Sequence, residues 1–215
     1  MAHVAFDLDG TLVDSAPDLH GVACSVLAAQ GHPPITLDEA RGFIGQGVAV
    51  FVARMRAVRR IPDSGQAALL AAFMARYDAA VDLTTLYPAV PEALADLRRA
   101  GHRLALCTNK PLGPTMALLR HLTLDQHFDK IIAGDSLPTR KPDPAPLRAA
   151  LDLGGSGPDL YVGDSEVDAE TALRAGIPLL LFTQGYRNTP VADLPHRAAF
   201  DHFRDLPGLI AGLLG

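Results

Sequence analysis

The chain has 215 residues, of which 48% are hydrophobic and 20% are charged, and its formal net charge is −5. This length is enough for one large domain or two small ones. An acidic chain attracts neither nucleic acid nor an anionic membrane surface, and no segment approaches the ~20 apolar residues of a membrane span. The N-terminal apolar run is also too short for a secretory signal, so we expect a cytoplasmic protein without nucleic acid or membrane as its partner.

A short apolar run, Val4–Phe6, is followed directly by two carboxylates, Asp7 and Asp9. Residues two apart on a strand point to the same face, so these like charges come together where the strand ends. Such a pair is unfavourable without a cation or a shared proton. A plain turn would also explain Asp-x-Asp-Gly, because aspartate and glycine are poor strand formers.

Residues 15–83 differ from the rest of the chain. This segment is rich in alanine, contains no convincing strand, and has helical periodicity over Leu19–Gln30, Val48–Arg60 and Gln66–Ala80. We predict that residues 15–83 form a helical cap inserted after the first strand. Residues 1–14 and 84–215 then form the α/β core.

The core region contains further short apolar runs with helical patterns between them. They are continuous rather than alternating in hydrophobicity, and comprise Leu104–Cys107, Ile131–Ala133, Leu160–Val162 and Leu179–Phe182. Such runs are typical of a parallel sheet covered by helices on both faces. We therefore predict an α/β fold with a doubly wound, Rossmann-like parallel sheet. Ligands of such sheets bind at the carboxyl ends of the strands.

Polar residues follow several of these runs where the predicted strands end. They include Thr108, Asn109, Asp164 and, one helical turn further, Asp168; Lys141 lies in a separate Pro-rich loop. Each has a plainer explanation: a Thr-Asn turn, a solvated loop lysine, and carboxylates at a helix N-terminus. Considered jointly, they favour a functional site at one edge of the sheet.

Four motifs carry a family resemblance, and they span nearly the whole chain. In kind and order they resemble the signature motifs of the haloacid dehalogenase-like superfamily of phosphohydrolases: Asp7–Thr11, Leu106–Asn109, Thr139–Pro144 and Val162–Asp168. Shorter stretches look more narrowly like bacterial phosphoglycolate phosphatases: Phe43–Gly47, Gly163–Thr171 and Phe182–Tyr186. The resemblance implies a phosphomonoester hydrolase that acts on a small phosphorylated metabolite, with 2-phosphoglycolate as the expected substrate.

The resemblance also implies catalytic roles for the first motif. Asp7 would be the nucleophile that forms an aspartyl-phosphate, and Asp9 would serve as general acid and then general base. The charge of a phosphate dianion calls for a hard cation with oxygen ligands. The resemblance assigns Mg²⁺ to Asp7, to the backbone carbonyl of Asp9 and to Asp164.

The remaining motifs would hold phosphate and orient the metal. Thr108 and Asn109 would bind phosphate oxygens, and Lys141 would neutralise the charge on Asp7 and phosphate. Asp168 would orient the metal waters or Lys141. In the predicted cap, Arg41 and Gln46 are candidates for contacting an acidic substrate, although a solvated helix-end arginine is an equally good interpretation of Arg41.

Other chemistries are distinguished by single residues. Asp9 is evidence against a dehalogenase, which by resemblance lacks an acid there, and a phosphonate hydrolase of this type needs a lysine that residues 15–83 lack. A sugar-phosphate phosphatase or phosphomutase of the same superfamily stays open, as does a non-catalytic phosphate-binding module. The sequence leaves monomer and homodimer equally open.

Overall fold

A computed structural model describes residues 1–215. The strands are β1 His3–Phe6, β2 Val13–Asp14, β3 Thr85–Leu86, β4 Arg103–Cys107, β5 Lys130–Ile132, β6 Asp159–Gly163, β7 Leu179–Phe182 and β8 Ala198–Phe200. Six of them form one parallel sheet in the order β5–β4–β1–β6–β7–β8. The other two, β2 and β3, pair with each other in antiparallel fashion.

The helices alternate with the strands of the large sheet, except that a run of four follows β2 and no α-helix lies between β7 and β8. They are α1 Ala16–Ala29, α2 Leu37–Phe43, α3 Val48–Val58, α4 Gln66–Tyr77, α5 Val90–Arg99, α6 Leu112–His121, α7 Ala145–Leu151, α8 Glu166–Ala175 and α9 Leu206–Leu214. None of them combines the length and the apolar character that crossing a membrane requires.

The central strand β1 is buried along its whole length because helices cover both faces of the sheet. Val4 and Phe6 pack in one hydrophobic cluster with residues of α5 and α9. Ala5, which points to the other face, packs in a second cluster with residues of α7 and α8. The predicted doubly wound α/β sheet is therefore confirmed.

Helices α1–α4 have a hydrophobic cluster of their own, whose members run from Leu19 to Tyr77. The chain enters and leaves this helical segment through the antiparallel pair β2–β3. The two connections are also joined by Asp18, whose carboxylate accepts hydrogen bonds from the backbone of Leu83 and from both the backbone and the hydroxyl of Thr84.

Strands β2, β3 and β8 and helix α2 were not anticipated from the sequence. The two-residue strands and the Ala-Ala-Phe sequence of β8 are too short to show periodicity. Helix α2 does carry a start signal, since Thr36 and Glu39 form a reciprocal capping box.

Candidate active site

The candidate site lies at the carboxyl ends of the three central strands. In the sheet, β1 is hydrogen-bonded to β4 on one side and to β6 on the other, with Phe6 paired to Leu106 and to Val162. The residues that follow each strand therefore meet at one edge. Asp7, Thr108 and Asp164 all lie there, as expected from the sequence. Their exposed fractions are only 6%, 3% and 1%, respectively.

Asp7 is a buried carboxylate beside one ammonium group. Lys141 Nζ lies 2.9 Å from Asp7 Oδ1, but the contact lacks hydrogen-bond geometry, so Oδ1 is a buried oxygen without a hydrogen-bond partner. Burial raises the pKa of Asp7 to about 7, although Lys141 opposes the shift. The neighbouring Asp168 carboxylate adds to the increase in the pKa of Asp7 that burial causes.

Lys141 is held in place by a buried polar cluster. Its Nζ donates hydrogen bonds to Asp168 Oδ1 and to the Tyr161 hydroxyl, both at 2.8 Å, and Tyr161 in turn donates to Asp168 Oδ1 at 2.6 Å. Burial acts to lower the pKa of Lys141, but Asp168 and Asp7 outweigh it and raise that pKa. Lys141 therefore keeps its positive charge. Tyr161 was not identified from the sequence, because a tyrosine within an apolar strand gives no signal.

Asp168 has no oxygen left for a metal ion. Its Oδ2 accepts hydrogen bonds from the Ser165 hydroxyl at 2.7 Å, from Ser165 N at 3.1 Å and from Asp164 N at 3.2 Å. Burial tends to raise its pKa, but Lys141 and the hydrogen bonds prevail and lower it. Asp168 thus caps α8 and holds Lys141 as an ionised carboxylate.

Asp164 is fixed against the loop that follows β1. Its Oδ1 accepts a hydrogen bond from the Thr11 hydroxyl at 2.6 Å and its Oδ2 accepts one from Tyr186 N at 2.6 Å. A Cβ atom at Gly10 would lie 2.5 Å from Asp164 Oδ2, and one at Gly185 would lie 2.3 Å from it. Both positions therefore exclude any side chain.

The carboxylates have the donor chemistry of a site for a hard divalent cation. One carboxylate oxygen of each of Asp7, Asp164 and Asp168 lies within 4.8 Å of the others. Because hydrogen bonds occupy both oxygens of Asp168, Asp7 and Asp164 are the candidate ligands. Burial and the neighbouring carboxylates Asp168 and Asp7 raise the pKa of Asp164 well above its usual range. A cation would relieve this excess of negative charge. Oδ1 of Asp7, which is buried and accepts no hydrogen bond, is an oxygen ligand that suits such an ion.

Asp9 is paired with Lys110, which the sequence analysis did not select. Asp9 Oδ1 accepts hydrogen bonds from the Ser15 hydroxyl at 2.5 Å and from Lys110 Nζ at 3.1 Å. The Lys110 ammonium also lies 4.7 Å above the ring of Tyr77. Burial acts to lower the pKa of Lys110, but Asp9 and Tyr77 outweigh burial, so the pKa is raised above its usual value. Lys110 could have been recognised from its position directly after Thr108-Asn109, in a chain with only three lysines.

The Thr108 and Asn109 side chains make different contacts. The Thr108 hydroxyl oxygen accepts a hydrogen bond from Lys110 N at 3.2 Å, and the residue lines the cavity beside Asp7. Asn109 Nδ2 donates to the carbonyls of Gly45 and Lys141, and its Oδ1 accepts from Lys141 N. The Asn109 side chain therefore joins the Lys141 loop to the helical segment.

A cavity of about 30 Å³ lies between the sheet edge and the helical segment. Its polar lining includes Asp7, Asp9, Thr108 and Lys110, while the helical segment contributes two glycines and mostly apolar side chains: Leu19, Ile44, Gly45, Gly47, Val48, Phe51 and Tyr77. This volume corresponds to only one or two water molecules and is smaller than a metabolite.

Arg41 and Gln46 lie outside this cavity. Arg41 is 3.7 Å from Asp14 and 3.4 Å from Asp38 and borders a separate surface depression with Tyr186. Gln46 lines another groove beside Lys141. Their contact with substrate stays a prediction, and the structure does not bring them into the space next to Asp7.

Comparison with known proteins identifies the family. The model of the haloacid dehalogenase-like hydrolases matches residues 4–182. The chain is 51% identical over 217 aligned residues to a phosphoglycolate phosphatase of Cereibacter sphaeroides strain ATCC 17029, with 100% of both chains covered. It is 41% identical to phosphoglycolate phosphatase 1 of Pseudomonas aeruginosa, with 94% of this chain and 77% of that protein covered.

Solved structures show the same fold. A crystal structure of a predicted phosphoglycolate phosphatase from Haemophilus somnus superposes with a TM-score of 0.90 at 32% identity, covering 98% of each chain. The CbbY protein of Rhodobacter sphaeroides, crystallised in complex with phosphate, gives a TM-score of 0.81 at 25% identity, covering 96% of each chain.

Proposed function

The chain belongs to the haloacid dehalogenase-like hydrolases, and we propose that it is a Mg²⁺-dependent phosphatase that converts 2-phosphoglycolate to glycolate and inorganic phosphate. Relatives named phosphoglycolate phosphatase that align over the full length support the substrate. The single observation that carries the chemistry is the buried Asp7 carboxylate beside Lys141, at the carboxyl edge of the sheet. Both cysteines are free thiols, which supports the cytoplasm as its compartment.

In the first step, an Asp7 carboxylate oxygen attacks phosphorus and forms an aspartyl-phosphate. The bond between phosphorus and the glycolate oxygen breaks, and the departing oxygen takes the electron pair and a proton from Asp9. Both hydrogen bonds to the Asp9 side chain go to Oδ1, so Oδ2 is the oxygen available for this proton transfer. Lys141 lowers the charge repulsion between Asp7 and the phosphate dianion.

In the second step, water attacks the phosphorus of the aspartyl-phosphate. Asp9, now a carboxylate, takes the water proton, the bond between phosphorus and Asp7 breaks, and inorganic phosphate leaves. The Thr108 hydroxyl is our candidate for holding a phosphate oxygen, because it faces the cavity with no hydrogen-bond acceptor for its own proton. Asn109 contributes by fixing the Lys141 loop.

Mg²⁺ would be held by Asp7 and Asp164 side chains and by the backbone carbonyl of Asp9. An ion bound there would neutralise part of the negative charge on the phosphate. Asp168 supports the site indirectly, because it fixes both Asp164 N and the Lys141 ammonium.

We also propose that residues 15–83 act as a cap that opens for substrate and closes for reaction. Its separate hydrophobic cluster allows it to move as a unit on the two connections near β2 and β3. Its apolar side chains then exclude water from the cavity around Asp7.

A turnover panel tests this function. Purified protein with Mg²⁺ is assayed for phosphate release from 2-phosphoglycolate, hexose phosphates, nucleoside monophosphates and an aryl phosphate. We expect the highest kcat/KM with 2-phosphoglycolate and no turnover in excess chelator. A higher kcat/KM for a sugar phosphate, or exchange of phosphate between sugar positions, would contradict the proposed substrate.

A further inference from the structure

Lys110 is the only cationic side chain that lines the cavity containing Asp7 and Asp9. The residues around it there are otherwise acidic, uncharged polar, apolar or glycine. The ammonium of Lys141 is engaged by Asp7, Asp168 and Tyr161, and Lys141 does not line this cavity. The proposed substrate carries two anionic groups, and Lys141 and the metal would neutralise only the phosphate.

The position of Lys110 is fixed at its backbone. Lys110 N donates to Thr108 Oγ1 at 3.2 Å, and Lys110 O accepts hydrogen bonds from Gly134 N at 2.8 Å and from the Thr115 hydroxyl at 3.3 Å. The residue is only 5% exposed. A buried and anchored ammonium presents its charge at one place, which suits recognition of a small anion.

The hydrogen-bonding capacity of Lys110 is not exhausted. An ammonium has three N–H donors. Asp9 Oδ1, at 3.1 Å, is the one acceptor of a hydrogen bond from this ammonium, which also lies 4.7 Å from the centre of the Tyr77 ring. Donor capacity therefore stays available to an anion in the cavity that Lys110 lines.

We propose that Lys110 determines specificity by binding the carboxylate of the substrate, and so selects phosphomonoesters of a 2-hydroxy acid over neutral ones. This inference rests on the proposed function. Tyr77 comes from the helical segment, so the full pocket for the carboxylate exists only when that segment packs on the sheet edge. Recognition of the substrate carboxylate and closure of the cavity would thus both depend on Lys110 and Tyr77.

The test compares 2-phosphoglycolate with its carboxamide analogue, phosphoglycolamide. The two share an alkoxide leaving group, so both require a proton from Asp9, and they differ in the negative charge. We expect the wild-type protein to prefer phosphoglycolate by about 10- to 150-fold in kcat/KM, which is the range expected for a hydrogen bond to a buried charged group. In Lys110→Met this preference should fall to about threefold or less.

Two variants serve as controls. Lys110→Arg keeps a cation and should retain most of the preference. Lys130→Met removes a half-buried lysine that pairs with Asp152 away from the cavity, and should leave the preference unchanged. If Lys110 only positions Asp9, Lys110→Met lowers turnover of both substrates equally and the ratio persists, which would overturn the inference while leaving the phosphatase function intact.

Binding provides a second readout that needs no turnover. In an Asp7→Asn background, calorimetry should show tighter binding of phosphoglycolate than of phosphoglycolamide, and the added Lys110→Met change should make the two affinities equal. A wild-type protein that hydrolyses aryl phosphate but not phosphoglycolate would refute the proposed substrate and this inference together. Wild-type activity on phosphoglycolate without preference over the amide would refute the inference alone.

Discussion

The ammonium of Lys141 lies 2.8 Å from Asp168 Oδ1, in a part of the molecule where neither side chain is more than 1% exposed. Asp7 is the second carboxylate beside this ammonium, at 2.9 Å. Removing the cation would leave two buried acids without their partner, whereas removing Asp168 would free the ammonium and the N-terminus of α8. The ion pair between Lys141 and Asp168 therefore contributes both to the stability of the sheet edge and to the chemistry at Asp7.

Lys141→Met should lower the free energy of unfolding by about 3–5 kcal/mol, as expected when one partner of a buried ion pair is lost. It should also reduce kcat at least about 100-fold, because the cation beside the reacting phosphate is gone. Urea unfolding and phosphate-release assays measure the two effects. The control is Lys130→Met, at a more exposed lysine, and it should lower the free energy of unfolding by less than ~1 kcal/mol. A fully active Lys141→Met protein would contradict the assigned role.

Asp7→Asn should abolish phosphoglycolate turnover while the protein stays folded, because an amide does not attack phosphorus. Burial raises the pKa of Asp7 to about 7, so the ionised carboxylate destabilises the metal-free fold near neutral pH. We therefore expect the variant to be at least as stable as the wild type in chelator, by thermal unfolding. Asp201→Asn, at an exposed position, is the matched control. Residual turnover near the wild-type level would indicate a different nucleophile.

Asp9→Asn should affect substrates according to their leaving groups. Glycolate leaves as a poor leaving group that needs a proton, whereas an aryl oxide leaves without one. Phosphoglycolate turnover should therefore fall by about 100-fold or more, and aryl phosphate turnover by much less. Steady-state kinetics with both substrates measure the difference. Equal losses would exclude Asp9 as the general acid and would assign its side chain to building the site.

Gly185→Ala should weaken Mg²⁺ binding and lower kcat at least about tenfold, because the new Cβ would lie 2.3 Å from both Asp164 Oδ2 and Gly10 O. Titration of activity against Mg²⁺ concentration measures the effect. Gly21→Ala is the control, since a Cβ there meets nothing within 4 Å and lies within α1, where alanine is favoured. A Gly185→Ala protein with wild-type Mg²⁺ dependence would show that Asp164 is not held as described.

The sequence by itself determined the fold class and the residues at the strand ends. The apolar runs beginning at Val4, Leu104, Leu160 and Leu179 coincide with β1, β4, β6 and β7, because strands buried on both faces must be continuously apolar. Parallel strands bring their carboxyl ends to one edge, so Asp7, Thr108 and Asp164 were expected there. The order of the strands in the sheet, with β1 between β4 and β6, then makes them neighbours.

Only the tertiary structure decided which polar side chains face one another. The pairing of Lys110 with Asp9, and of Tyr161 with Lys141 and Asp168, joins residues that are distant in sequence. Arg41, chosen for its charge, instead lies near Asp14 and Asp38. Local patterns report burial and backbone direction, whereas the partner of a buried charge depends on how separate elements pack. For that reason the only cation lining the cavity beside Asp7 became apparent only in three dimensions.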